Sequence, residues 1–173
     1  MSRFGFKEID ITNWLEQDFI MKAFVRIDSQ NGTIQMEGED WVSVILEPEL
    51  EESVPENVQA LFEVARGAMV YGYFFYPLYT LAVEQLYRVA ESAVHHKYLS
   101  MDASKSFRNF AKRIEWLNSQ GVISDTELIR WDAIRNLRNF ASHPESQSII
   151  TPANAIGTLE IVAHLINPLF KSG

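Results

Sequence analysis

The chain has 173 residues, 47% hydrophobic and 22% charged, enough to bury a core as one domain and unlike the composition of a disordered chain. It has no cysteine, which excludes disulfides, thiolate zinc sites, iron-sulfur clusters and a cysteine nucleophile. A net charge of −8 excludes a protein that coats nucleic acid through a general positive excess, so any RNA contact has to be local and selective.

The opening MSRFGFKEIDITNW carries Glu8 and Asp10 where a secretory signal needs an apolar run, so a cytoplasmic location is expected. Next, ITNWLEQDFIMKAF can form a short helix. In FVRIDSQNGTIQME an Asn31-Gly32 pair sits between short alternating runs, the usual signal of a hairpin turn, and WVSVIL (41 to 46) reads as a third strand. Residues 1 to 50 are therefore expected to be a small helix and β-hairpin appendage. EPELEESVPEN (47 to 57) is acidic, holds two prolines and reads as a surface linker.

From residue 55 the pattern is helical to the end. Pro55 and Glu56 start a helix that runs to Tyr71, with Gly72 suited to stop it. No residue from Gly67 to Val83 is charged, but the run is shorter than the roughly 20 residues of a membrane span and contains Pro77, so it reads as protein interior. The aromatic run YGYFFYPLY within it reads as core or subunit packing rather than a platform for stacking bases.

A second helix from Pro77 to Tyr98 has two apolar stripes. Leu78, Leu81, Ala82, Leu86 and Val89 make one; Tyr79, Val83, Tyr87, Ala90 and Val94 make the other. A helix apolar over that much of its circumference is surrounded by partners. Its remaining line is Glu84, Arg88, Glu91 and His95.

The third helix, Ser104 to Ser119, is expected to bury Phe107, Phe110, Ala111, Ile114 and Leu117, leaving Lys105, Arg108, Lys112 and Arg113 outside. The fourth opens with SDTE, a capping box of Ser124 and Glu127, and its apolar side reads as Leu128, Trp131, Ile134, Leu137 and Ala141. The fifth starts at TPAN, with Thr151 as cap and Pro152 in the first turn. Five helices joined by short loops predict an antiparallel bundle over residues 55 to 171.

Charge is unevenly placed along this chain. Residues 1 to 63 hold 14 acids against 4 bases, whereas residues 104 to 143 hold 7 bases against 4 acids. The basic part contains RNLRNFASHPE (135 to 145). On a helix, Arg135, Arg138 and Asn139 fall within an arc of roughly 100°, opposite Leu137. Pro144 pushes His143 out of the helical region, so its ring can swing back toward that patch. A solvated, cation-rich helix end is the commoner meaning of such a cluster and a convergent site the rarer one; the residues alone leave both open.

No metal or cofactor is expected. His95 and His96 diverge by about 100° on a helix and cannot chelate one ion together. His164 reads as a packed or rim residue. No phosphate-binding loop, dinucleotide fingerprint, nucleophile elbow or zinc-protease helix is present.

RNFASH (138 to 143) resembles the R-x4-H motif of the higher eukaryotes and prokaryotes nucleotide-binding (HEPN) superfamily, with a polar Asn directly after the Arg. The setting agrees: the motif ends the penultimate helix, follows WDAIRNL and precedes one more helix, while LAVEQLYRVAE resembles the acid-bearing early helix of such domains. The resemblance spans residues 55 to 171 and gives the first fifty no counterpart. It implies a mainly α, HEPN-like bundle and a metal-independent endoribonuclease of the toxin-antitoxin or defence kind, working as a two-fold homodimer with both motifs facing one cleft. The partners it implies are RNA and a protein antitoxin or regulator. By the same resemblance His143 is general base or acid, Arg138 stabilises the transition state, Asn139 orients His143 or the phosphate, and Arg135 and Glu84 support them. Many HEPN proteins lack nuclease activity, so the alternative is a non-catalytic interaction or RNA-binding module.

Overall fold

The computed structural model describes residues 3, 5–101, 107–141 and 149–171. It is mainly α: a helical bundle with a two-stranded antiparallel hairpin near its N-terminus. In order come a 3-10 turn (Met21–Ala23), β1 (Val25–Asp28), β2 (Gly32–Gln35), α1 (Gly38–Leu46), α2 (Glu56–Tyr71), α3 (Leu78–Ser100), α4 (Phe110–Ser119), α5 (Asp125–Ala141) and α6 (Pro152–Phe170).

The hairpin forms where the Asn31-Gly32 pair predicts it, with Arg26 opposite Ile34 and Gly32 at φ 73°. A left-handed φ at this position favours glycine. The Asp28 carboxylate accepts from the backbone N–H groups of Gln30 and Asn31 and fixes the turn.

Two expectations for the front of the chain fail, each for a local reason. Residues 11 to 24 are not a helix but a run of turns ending in the 3-10 turn. The Asp10 carboxylate accepts from the N–H groups of Thr12 and Asn13 and from the Thr12 hydroxyl, offering the backbone an alternative to helical bonds. Asp18, fully buried, accepts from Ile20 N at 3.0 Å and Tyr76 N at 2.9 Å and so ties this segment to the corner before α3.

WVSVIL is helix, not strand. Glu37 and Asp40 form a capping box at its start, and Trp41 and Ile45, four apart, are the buried residues, whereas a strand would also have buried Ser43. The segment after α1 is mostly exposed and without helix or strand up to Pro55, as a surface linker would be, but it is pinned at several points. Val54 is buried, and Asn167 on α6 accepts from Glu51 N at 2.9 Å and donates to Glu49 O at 3.0 Å. On the other side, Arg66 of α2 donates to Leu46 O and pairs with Glu63, which holds α1 against α2. Met21, Trp41 and Ile45 belong to the same hydrophobic cluster as the helices that follow.

α3 is the central helix, in contact with α2, α4, α5 and α6. Both of its predicted stripes are buried except at Leu78, which is half-buried, and Leu81, which is exposed. Gly72 ends α2 with an ordinary negative φ, so glycine is needed there for closeness rather than for turning: a Cβ would lie 2.6 Å from Tyr79 Cε2 and 2.8 Å from Met69 O.

α4 starts at Phe110, later than predicted, because the Asn109 side chain caps it by accepting from Ala111 N at 2.8 Å. Ser104 and Lys105 lie outside the described residues. Arg113, expected on the outer side, is half-buried, with its guanidinium 5.8 Å from the Tyr98 ring centroid and Nε donating to Phe107 O.

Candidate functional site: an arginine-lined groove

α5 begins with its predicted box: Ser124 N and Oγ donate to the Glu127 carboxylate at 3.0 and 2.7 Å, and Glu127 N donates back to Ser124 Oγ at 3.3 Å. Those bonds hold the Glu127 carboxyl below the usual carboxylate range.

The helix is rotated relative to the expectation that Leu137 faces the core. Trp131 and Ile134 are its buried residues, Leu137 is 49% exposed, and Ile129 is 72% exposed. Arg138 lies one helical face with Trp131, so the two arginines and Asn139 stand along the margin where α5 meets α3 and α4. A polar arc beside the buried tryptophan is placed to meet neighbouring helices; a polar arc opposite it would have met only water.

What Arg138 meets is Glu91. Its Nη2 donates to Glu91 Oε2 at 3.0 Å, a charge-assisted bond between the last turns of α5 and the middle of α3. Among the described residues Glu91, not Glu84, is the acid seen to pair with this arginine. Glu84 stands seven residues earlier on the same line of α3, roughly 10 Å along the axis by the 1.5 Å rise. Nη1 of Arg138 points at Asn139 Oδ1, 3.5 Å away. Arg135 pairs with Asp132 on its own helix at 3.4 Å, and its Nε is buried without a hydrogen-bond partner.

Arg135, Arg138 and Asn139 line a groove of about 530 Å³ together with Glu91, Arg108 and Asn109. Among the described residues three guanidiniums and one carboxylate line it, an excess of positive charge in a chain whose total is −8. Guanidinium forks match the oxygens of a phosphate, so the groove is chemically suited to an anionic ligand of that kind.

His143 lies outside the described residues, as does Pro144. His95 stands one turn past Glu91 on α3. Burial, then the charges of Arg113 and His96, push its pKa below the ordinary 6.5, while Glu91 pulls the other way. Its Nδ1 is buried without a partner.

The His95 and His96 ring centroids are 6.2 Å apart. Among the described residues no group of three or more His, Asp or Glu side chains is arranged to hold a metal ion. No helix among them is long and apolar enough to cross a membrane. His164 is exposed on α6.

Sequence reasoning placed Arg135, Arg138 and Asn139 on one arc and missed Glu91, Arg108 and Asn109 as members of the site. Glu91 had a signal, since it shares the polar line of Glu84. Arg108 and Asn109 had none, because their position depends on how α4 approaches α5.

A helical bundle with an arginine-lined groove where α3, α4 and α5 meet is the class that fold and site define. The chain belongs to the family described as Domain of unknown function (DUF4145), whose sequence model matches residues 69–172. That span covers α3 to α6 and every groove residue named above. No curated protein and no solved structure matches the chain.

Proposed function

We propose that this protein is a metal-independent endoribonuclease of the HEPN kind, with Arg138, Asn139 and His143 acting at a cleft between two copies of the chain. The observation that carries the reading is the groove: Arg138 and Asn139, the motif residues that are described, open onto it beside two further arginines, and Glu91 aims the Arg138 guanidinium.

In the proposed reaction the ribose 2′-oxygen attacks the adjacent phosphorus and the bond from phosphorus to the 5′-oxygen breaks. His143 of one copy takes the proton of the 2′-hydroxyl, and His143 of the second copy gives one to the leaving 5′-oxygen, roles that suit a side chain titrating near neutrality. Arg138 offsets the charge that gathers on the phosphoryl oxygens in the transition state. Asn139 orients the imidazole or the phosphate, Arg135 adds a phosphate contact, and the supporting task first given to Glu84 passes to Glu91. The outward row Ile129, Ala133 and Leu137 of α5 is apolar and exposed but lies on the side of the helix opposite the arginines, so a second copy that shares the cleft approaches from the groove side instead.

The test is to incubate the purified chain with RNA in excess EDTA and identify the ends it makes. Fragments carrying a 2′,3′-cyclic phosphate and a 5′-hydroxyl are expected; 3′-hydroxyl and 5′-phosphate ends, or cleavage abolished by the chelator, contradict the mechanism.

A second reading, a non-catalytic module for a protein partner or regulator, is favoured by the acidic front of the chain, where Ile11 and Ile27 stand almost fully exposed. Intact RNA together with a stable complex between this front and a partner supports it.

A further inference from the structure

We infer that the groove holds two neighbouring phosphates of a single-stranded RNA, the one at Arg138 and a second held by Arg108 just before α4, with Arg135 adding a third charge to the same lining. This rests on the ribonuclease reading and extends it to how the flanking strand is gripped.

The charges in the groove are unevenly committed. Arg138 is matched by Glu91 at 3.0 Å, and Arg135 is partly matched by Asp132 at 3.4 Å. Arg108 lines the same groove, is exposed, and makes no ion pair among the described residues. It sits two residues before α4, so its charge comes from a different element than the motif. A volume of about 530 Å³ lies within the range of sites that take whole small-molecule ligands rather than one ion. A lone phosphate on Arg138 would leave that volume, and the Arg108 charge, unanswered. The strong acidity elsewhere in the chain makes the local excess the more selective: a polyanion finds attraction here and repulsion over residues 1 to 63.

Each phosphate neutralised on a single strand contributes about 0.7 to the slope of log K against log salt. The experiment measures binding of a single-stranded oligoribonucleotide across a salt series, in a His143→Ala background so that the probe stays whole. Arg108→Ala is expected to lower the slope by about 0.7 and to weaken binding about fivefold at 0.1 M salt. Arg108→Lys should keep the slope, because a point charge suffices for it. Lys22→Ala, which removes the same charge from the exposed N-terminal turn, should change neither.

An Arg108→Ala slope equal to that of the parent overturns the second contact and leaves the ribonuclease reading standing. A slope change matched by Lys22→Ala overturns it as well, since general charge then explains the effect. A parent that fails to hold the oligonucleotide even at low salt overturns this inference and the ribonuclease reading together.

Discussion

The bond between Arg138 and Glu91 joins side chains that are 41% and 31% exposed, and ion pairs in such surroundings contribute only about 0 to 1 kcal/mol to stability. Its consequence is aim rather than strength. Glu91→Gln keeps the shape and removes the charge, so the midpoint of unfolding should shift by less than about 1 kcal/mol while kcat for RNA cleavage falls roughly ten- to a hundredfold. A rise in KM with kcat unchanged would instead make Glu91 a determinant of binding.

His95 gives a second test at the same scale. Its folded pKa lies below 6.5, so below that pH the unfolded chain takes up a proton that the folded chain resists. Stability owed to this residue is therefore complete above pH 6.5 and declines as the pH falls below it. Denaturant titrations between pH 5 and 8 should show a steeper acid-side loss for the native chain than for His95→Gln; equal slopes would contradict the burial argument.

Among single residues, those on one helix were legible. The 3.6-residue period alone sets Arg135, Arg138 and Asn139 on one arc. The partners Glu91 and Arg108 depend on the register between helices, which no local pattern carries.

At the scale of elements, caps and prolines were the legible signals. Ser124 with Glu127, and Thr151, mark the starts of α5 and α6 because their side chains accept from N–H groups at the helix end that have no helical partner, and Pro152 has no N–H to leave unsatisfied. The front of the chain was misread because short apolar runs do not distinguish a two-turn helix from a strand. There the decision lay with the side chains of Glu37 and Asp40, which bond to the backbone at the start of α1. The face of α5 was misjudged for another reason. A helix with two buried residues has a wide intermediate zone, and hydrophobicity cannot say which edge of it turns inward.

Gly72 tests the packing of α2 against α3 directly. Alanine has the better helix propensity by about 1 kcal/mol, but its methyl would stand 2.6 Å from a fully buried Tyr79 ring that has nowhere to go. Gly72→Ala should lose roughly 1 to 3 kcal/mol in a denaturant titration. Unchanged or increased stability would mean that the two helices stand farther apart than described.

For the whole molecule, α3 at the centre fixes Glu91, while α5 is anchored by Trp131 and Ile134 and turns Ile129 and Leu137 outward. That row lies opposite the arginines, so Ile129→Arg should leave RNA cleavage and the thermal midpoint little changed. A folded Ile129→Arg variant that loses cleavage would show that two copies meet along this row instead. The mainly helical architecture was legible from periodicity over residues 55 to 171; the inclusion of Met21, Trp41 and Ile45 in the common core was not, because isolated apolar residues in turns carry no period.

The decisive comparison is RNA cleavage in EDTA by the native chain, His143→Ala and Arg138→Ala, each first shown to be folded. Cleavage by the native chain that falls roughly 10²- to 10⁴-fold in both variants is the expected result. Cleavage of equal rate in all three, or in none, would contradict a phosphodiester-cleaving role for these two residues.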